Sequence, residues 1–134
     1  MKYRLKNQPK EKPKEGDKKQ EGKFEYTFIA GEWRVTHYKN SDGYESWYEY
    51  DEQSKEVHYQ NSDGYESWRE YDEKGNQVHY KNSNGYESWY GYDEQSKEVH
   101  YKNSNGYEEW YNEEGKAITK EEFEELYEEV EEKE

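Results

Sequence analysis

The four histidines of the chain, His37, His58, His79 and His100, stand 21 residues apart. Trp47, Trp68, Trp89 and Trp110 keep the same interval, and so do Gly43, Gly64, Gly85 and Gly106. Three coincident series of this kind define a tandem repeat from Thr36 onward, with a unit such as HYKNSDGYESWYEYDEQSKEV. Repeats of about this length are stacked supersecondary units that share one continuous packing surface. The chain must therefore fold as an array.

Composition alone points elsewhere. Only 28% of the 134 residues are hydrophobic and the net charge is −14, a balance typical of disordered chains. The aromatic share is nevertheless 19%, from 17 Tyr, 5 Trp and 3 Phe, and these rings recur with the repeat. Ordered aromatics can take the place of an aliphatic core. At this length one domain is expected. No apolar run is long enough for a membrane span or a secretory signal, and there is no cysteine. These features predict a soluble, cytoplasmic protein without disulfides.

Charge divides the chain. Residues 1–22 hold both prolines and eight Lys/Arg against four Asp/Glu, which reads as a flexible basic arm. Residues 23–134 form the predicted β-repeat domain and carry a net charge of −18.

Each unit contains two β-type runs, VHY and YESWYEY, between two turn signals. Asp42-Gly43, Asp63-Gly64, Asn84-Gly85 and Asn105-Gly106 suit two-residue type I′ turns. Glu52-Gln53-Ser54 and its equivalents suit three-residue loops, with Gly75 at the left-handed third position and Ser54 and Ser96 in its place elsewhere. That pairing predicts one face with Tyr38, Trp47, Tyr59, Trp68, Tyr80, Trp89, Tyr101 and Trp110. The other face would carry His37, Tyr48, His58, Arg69, His79, Tyr90, His100 and Tyr111. Two further strands precede the repeats, Lys23 to Ala30 and Glu32 to Lys39, joined at Gly31. After them, Thr119 and Glu122 form a capping box, and Phe123, Leu126, Tyr127 and Val130 recur at helical spacing. The expected fold is mainly β. It is an antiparallel meander sheet of about nine strands, built from 21-residue tandem repeats over 37–112 and capped by one C-terminal α-helix over 119–132.

The unit Tyr71 to Gly91 resembles the YD repeat of Rhs and teneurin-type shells. Tyr50-Asp51, Tyr71-Asp72 and Tyr92-Asp93 match its tyrosine-aspartate pair, and Gly75-Asn76 with Asn84-Gly85 match its two turns. The likeness spans Thr36 to Asn112. It implies a β-sheet repeat module of structural or adhesive type, with no catalytic residues to carry over.

Chemistry is sparse in this sequence. His37 and His58 would lie two strands apart, about 9.5 Å, whereas zinc ligands sit about 2 Å from one ion. Asn40, Asp42 and Glu45 lack the spacing of a calcium loop. Ser46, Ser67 and Ser88 have no third group for a triad. The expectation is a non-enzymatic protein without metal or cofactor. What recurs instead is surface: residues 37–112 carry seventeen acids against seven Lys/Arg. Glu45, Glu66, Glu87, Glu108, Glu49 and Glu70, interleaved with Trp47, Trp68, Trp89, Tyr48 and Tyr90, offer carboxylates and rings to a cationic partner. The expected partner is a basic, nucleic-acid-handling protein such as a nuclease, a CRISPR-type effector or a toxin. The chain would act on it as a nucleic-acid mimic of the phage anti-defence or toxin-immunity type, as a monomer or homodimer, without binding nucleic acid or membrane itself.

Overall fold

The computed structural model describes residues 1–3, 6 and 12–130. Eleven antiparallel strands form one open sheet in chain order. They are β1 (Lys18–Glu21), β2 (Phe24–Ile29), β3 (Glu32–Lys39), β4 (Glu45–Tyr50), β5 (Glu56–Asn61), β6 (Glu66–Tyr71), β7 (Gln77–Asn82), β8 (Glu87–Tyr92), β9 (Glu98–Asn103), β10 (Glu108–Tyr111) and β11 (Ala117–Ile118). A single helix, α1 (Lys120–Leu126), follows. The meander is as the repeats predict, with two strands more than the nine expected. β1 lies within the segment read as a flexible arm and pairs with β2 from Lys18 opposite Thr27 to Glu21 opposite Phe24. That arm is therefore shorter than 1–22. Its residues 4, 5 and 7–11 lie outside the described residues.

Both loops of the unit have one construction. Asn40 Oδ1 accepts the backbone N–H of Asp42 and of Tyr44, at 2.9 and 3.0 Å, while the Gly43 N–H donates to the Asn40 carbonyl. In the second loop Asp51 Oδ1 accepts from Gln53 and Lys55, each at 2.9 Å, and Ser54 N–H donates to the Asp51 carbonyl. Only the fourth residue is left-handed: Gly43 has φ +88°, and Ser54 has φ +66°. Each is a type I turn closed by a left-handed residue, which leaves three residues in the loop. Ser54 pays for its conformation with bonds to the Ile29 carbonyl and from the Arg34 guanidinium.

This overturns the type I′ assignment at Asp42-Gly43. One more loop residue moves every partner by one, so His37 lies opposite Trp47 and Tyr38 opposite Ser46. A bulge makes the matching correction on the other side. Tyr50 pairs with Glu56 but Glu49 pairs with His58, which leaves Val57 extra and sets Tyr48 opposite Tyr59. The two predicted faces therefore exchange members. Tyrosines collect on one face and His–Trp pairs on the other. A two-residue turn with positive φ at both positions does occur, at Ala30-Gly31, where Glu15 accepts the Ala30 N–H.

The sheet has one layer and almost no conventional core. Among the described residues the buried side chains are Val99, at 5% exposure, and Ser46, Ser67 and Ser88, at 3% or less. The serines are small because tyrosines close over them. Ser46 donates to the Tyr48 hydroxyl at 3.3 Å and Ser88 to that of Tyr90 at 3.2 Å. Rings on this face meet at 5.1 Å for Tyr48–Tyr59 and 5.2 Å for Tyr90–Tyr101, tilted by 57° and 56°. Arg69 replaces a tyrosine in the second unit and lies 5.0 Å over the Tyr80 ring. Each tilted aromatic pair contributes about 0.5–1.5 kcal/mol beyond the area it buries.

Hydroxyls stitch the units together. Tyr44 meets Tyr59, Tyr65 meets Tyr80 and Tyr86 meets Tyr101 at 3.1, 2.9 and 2.8 Å. The Tyr71 hydroxyl donates to the Glu56 carbonyl, and Tyr50 and Tyr92 do the same to Val35 and Gln77. These carbonyls lie beside the bulges, where the ladder cannot satisfy them. Burial and the neighbouring Glu56 push the Tyr50 phenol up to about 12.

The helix is shorter than 119–132, and residues 131–132 lie outside the described residues. Thr119 and Glu122 do form the capping box. Beyond Leu126 the glutamates sit at the negative end of the helix with no basic residue in its last turn, which disfavours continuation. Leu126 and Val130 remain exposed. Phe123 is the docking residue, with its ring 6.1 Å from that of His100. Gly91 lies opposite His100, where the two preceding units have Glu49 and Glu70. A Cβ at Gly91 would come within 3.2 Å of the His100 Cβ. Phe123 thus lies beside the one histidine whose cross-strand partner carries no carboxylate.

Gly64→Ala meets no atom within 4 Å, so its cost is purely conformational. It is expected to destabilise the fold by about 1 kcal/mol in denaturant unfolding. Gly91→Glu is expected to release α1, seen as loss of Phe123–His100 contacts in nuclear Overhauser spectra with the rest of the sheet intact.

Candidate binding face

On the face opposite the tyrosines, each unit presents a glutamate, a tryptophan and a histidine in fixed relation. His37, His58, His79 and His100 stack on Trp47, Trp68, Trp89 and Trp110 with ring centres 5.5, 5.4, 5.6 and 5.4 Å apart and planes within 18° of parallel. Two-residue alternation puts Glu45 and Glu49 on the same side of β4 as Trp47, and likewise along β6. His58 Nε2 lies 3.0 Å from Glu66 and its Nδ1 3.2 Å from Glu49. His79 has the same two partners in Glu87, at 2.9 Å, and Glu70, at 3.5 Å. His100 keeps Glu108 at 2.7 Å, with Phe123 in place of the second carboxylate. His37 is 3.8 Å from Glu45, too far for a hydrogen bond, and Lys39 shares that carboxylate at 3.6 Å.

The outer faces of the indoles are also engaged. Lys81, opposite Trp68, holds its ammonium 5.9 Å from that ring, and Lys102, opposite Trp89, 5.0 Å. Trp68 and Trp89 thus each lie between an imidazole and an ammonium. Trp47 and Trp68 keep 38% and 37% of their surface exposed. Successive units do not sit squarely side by side. Trp47 lies opposite Gln60 and Gln60 opposite Glu66, while Trp68 is two residues beyond Glu66. Equivalent groups therefore run diagonally across the sheet, about 12 Å apart for two strand spacings and two residues of rise.

Of the residues expected to meet a partner, Glu45, Glu49, Glu66, Glu70, Glu87, Glu108, Trp47, Trp68 and Trp89 come together on this face. Tyr48 and Tyr90 do not. They belong to the tyrosine face, in contact with Tyr59 and Tyr101. Glu49 and Glu70 project furthest, with side chains 70% and 71% exposed. Sequence reasoning missed Lys81, Lys102 and Gln60, whose common position before the Asn of each unit was a readable signal. Among the described residues no group of three or more His, Asp or Glu side chains is placed to hold a metal ion. Nor is any helix among them long and apolar enough to cross a membrane. A comparison with protein-family models and with curated proteins finds no match to this chain.

Burial pulls the His58 pKa down, but the bonds to Glu66 and Glu49 outweigh it and leave the imidazole raised above its ordinary value of about 6.5. The folded state therefore binds this proton more tightly than the unfolded chain. The resulting stability is fully present below pH about 6.5 and is lost as pH rises through the folded pKa. Denaturant midpoints measured across that range are expected to fall with rising pH, and His58→Gln is expected to remove part of the slope.

Proposed function

We propose that the chain is a non-enzymatic acidic binding protein that covers the basic surface of a nucleic-acid-handling partner: a nuclease, a CRISPR-type effector or a toxin. The observation that carries this reading is the diagonal row Glu45, Glu66, Glu87 and Glu108, repeated by the fold across one open face with exposed indole edges beside it. A surface built to receive phosphates offers cationic side chains along a groove. Carboxylates at a regular interval answer such a groove, and Trp and Tyr are the residues that anchor interfaces best. The net charge of −14 would steer the encounter. In this reading the protein works in the cytoplasm, as a monomer or a homodimer.

Several carboxylates already face internal partners: Glu66, Glu87 and Glu108 lie within hydrogen-bond distance of His58, His79 and His100, and Glu45 lies beside His37 and Lys39. Binding exchanges these internal partners for the partner's own cations. Glu49 and Glu70 are the freest to make first contact.

Affinity for a basic nuclease is expected to fall steeply as salt is raised, and Glu66→Lys with Glu87→Lys is expected to weaken it about tenfold or more. Isothermal titration at two salt concentrations checks both. An unchanged affinity in the double variant overturns the proposal. The tyrosine face supports a second reading, a structural or adhesive repeat module of YD type, because tilted ring pairs recur across it, interrupted at Arg69. Salt-resistant glycan binding would favour that alternative.

A further inference from the structure

The units hold their own cations in a constant seat. Lys81 on β7 lies opposite Trp68 on β6 and opposite Glu87 on β8, with its ammonium over the indole. Lys102 on β9 repeats this between Trp89 and Glu108, with its ammonium closer to the ring. The corresponding residue between Trp47 on β4 and Glu66 on β6 is Gln60, which is exposed and uncharged. The same seat, an indole on one side and a glutamate across the next strand on the other, thus stands in the first full unit with no lysine or arginine over the indole among the described residues.

Resting on the reading of this face as an acidic binding surface, we infer that the Trp47–Gln60–Glu66 seat takes a lysine or arginine side chain from the partner. It is the most specific contact of the interface. The chemistry extends that already at work in the next two units, where an ammonium lies over an indole and a glutamate stands across the next strand. Trp47 and Glu66 stand two strand spacings apart, about 9.5 Å, and a head group entering from solvent lies over the exposed Gln60 side chain between them. His37 stacks on the other face of Trp47 and holds the ring upright. The amide of Gln60 can accept a hydrogen bond from the incoming donor, which a lysine at that position could not do. The other seats are filled, so the repeated face discriminates among its own units.

The test uses the full chain and an octa-arginine peptide at low salt, followed by the indole N–H resonances. Trp47 is expected to shift more than the other indoles. Gln60→Lys supplies the missing internal cation and is expected to fold as the parent does, to abolish the selective Trp47 response and to weaken binding about 3- to 10-fold. Gln53→Lys adds the same charge in the loop at the ends of β4 and β5 and is expected to change little. Lys81→Gln opens a second seat and is expected to bring Trp68 into the response. Binding that spares Trp47, or an equal loss of affinity in Gln60→Lys and Gln53→Lys, overturns the seat while leaving the acidic face in place. Absence of any peptide binding overturns both.

Discussion

Everything in this fold follows from how one asparagine or aspartate closes its loop. A single side-chain oxygen takes two backbone N–H groups, and the residue three places on turns left-handed. The same closure recurs at Asn61, Asp72, Asn82, Asp93, Asn103 and Asn112. Because it fixes the loop at three residues, it fixes which side chains stand opposite each other. The register then decides that histidine meets tryptophan and that tyrosine meets tyrosine. Ser62, Ser83 and Ser104, inside these loops, add a second tie by accepting the N–H of Glu45, Glu66 and Glu87 with their hydroxyls.

An open sheet of one layer cannot draw its stability from a sequestered apolar interior. Here each face supplies its own lateral cohesion. Tilted rings and paired hydroxyls run along one side. Flat stacks of imidazole, indole and ammonium run along the other. Each contact is worth about 0.2–1.5 kcal/mol, and only their repetition makes the sum sufficient. The charged side chains of β1 and the brevity of β11 blunt the two edges against further pairing.

Much of this was legible in the chain. The period gave the array, the capping box gave the start of α1, and the left-handed position was visible at Gly75, whereas serine at the same place in Ser54 and Ser96 argues against a conformation that the structure nevertheless shows. The register was not read correctly, because Asp42-Gly43 resembles the dipeptide of a type I′ turn. The decisive sign lay two residues earlier. Asn40 stands to Gly43 as Asp51 stands to Ser54, and that shared spacing marks both loops as one type. The bulge at Val57 carries no comparable signature, since nothing in a lone valine announces an unpaired residue. Tyr48 and Tyr90 follow Trp47 and Trp89 directly on their strands, so two-residue alternation alone turns them away from the indoles whatever the register. The significance of the lysines over the indoles depends on which residue lies across the strand, and so on the register.

The unit contains an odd number of residues, and two loops and a bulge absorb the oddness so that every copy begins facing the same way. A gene encoding such a chain can therefore gain or lose whole units by recombination between its own copies, and the product keeps its faces. Loss of a single codon within a strand has the opposite effect. All residues beyond it would turn over, carrying indoles into the tyrosine layer and hydroxyls into the carboxylate row. Variation in this protein is thus graded by the repeat, with length free to change in one currency and closed to change in any smaller one.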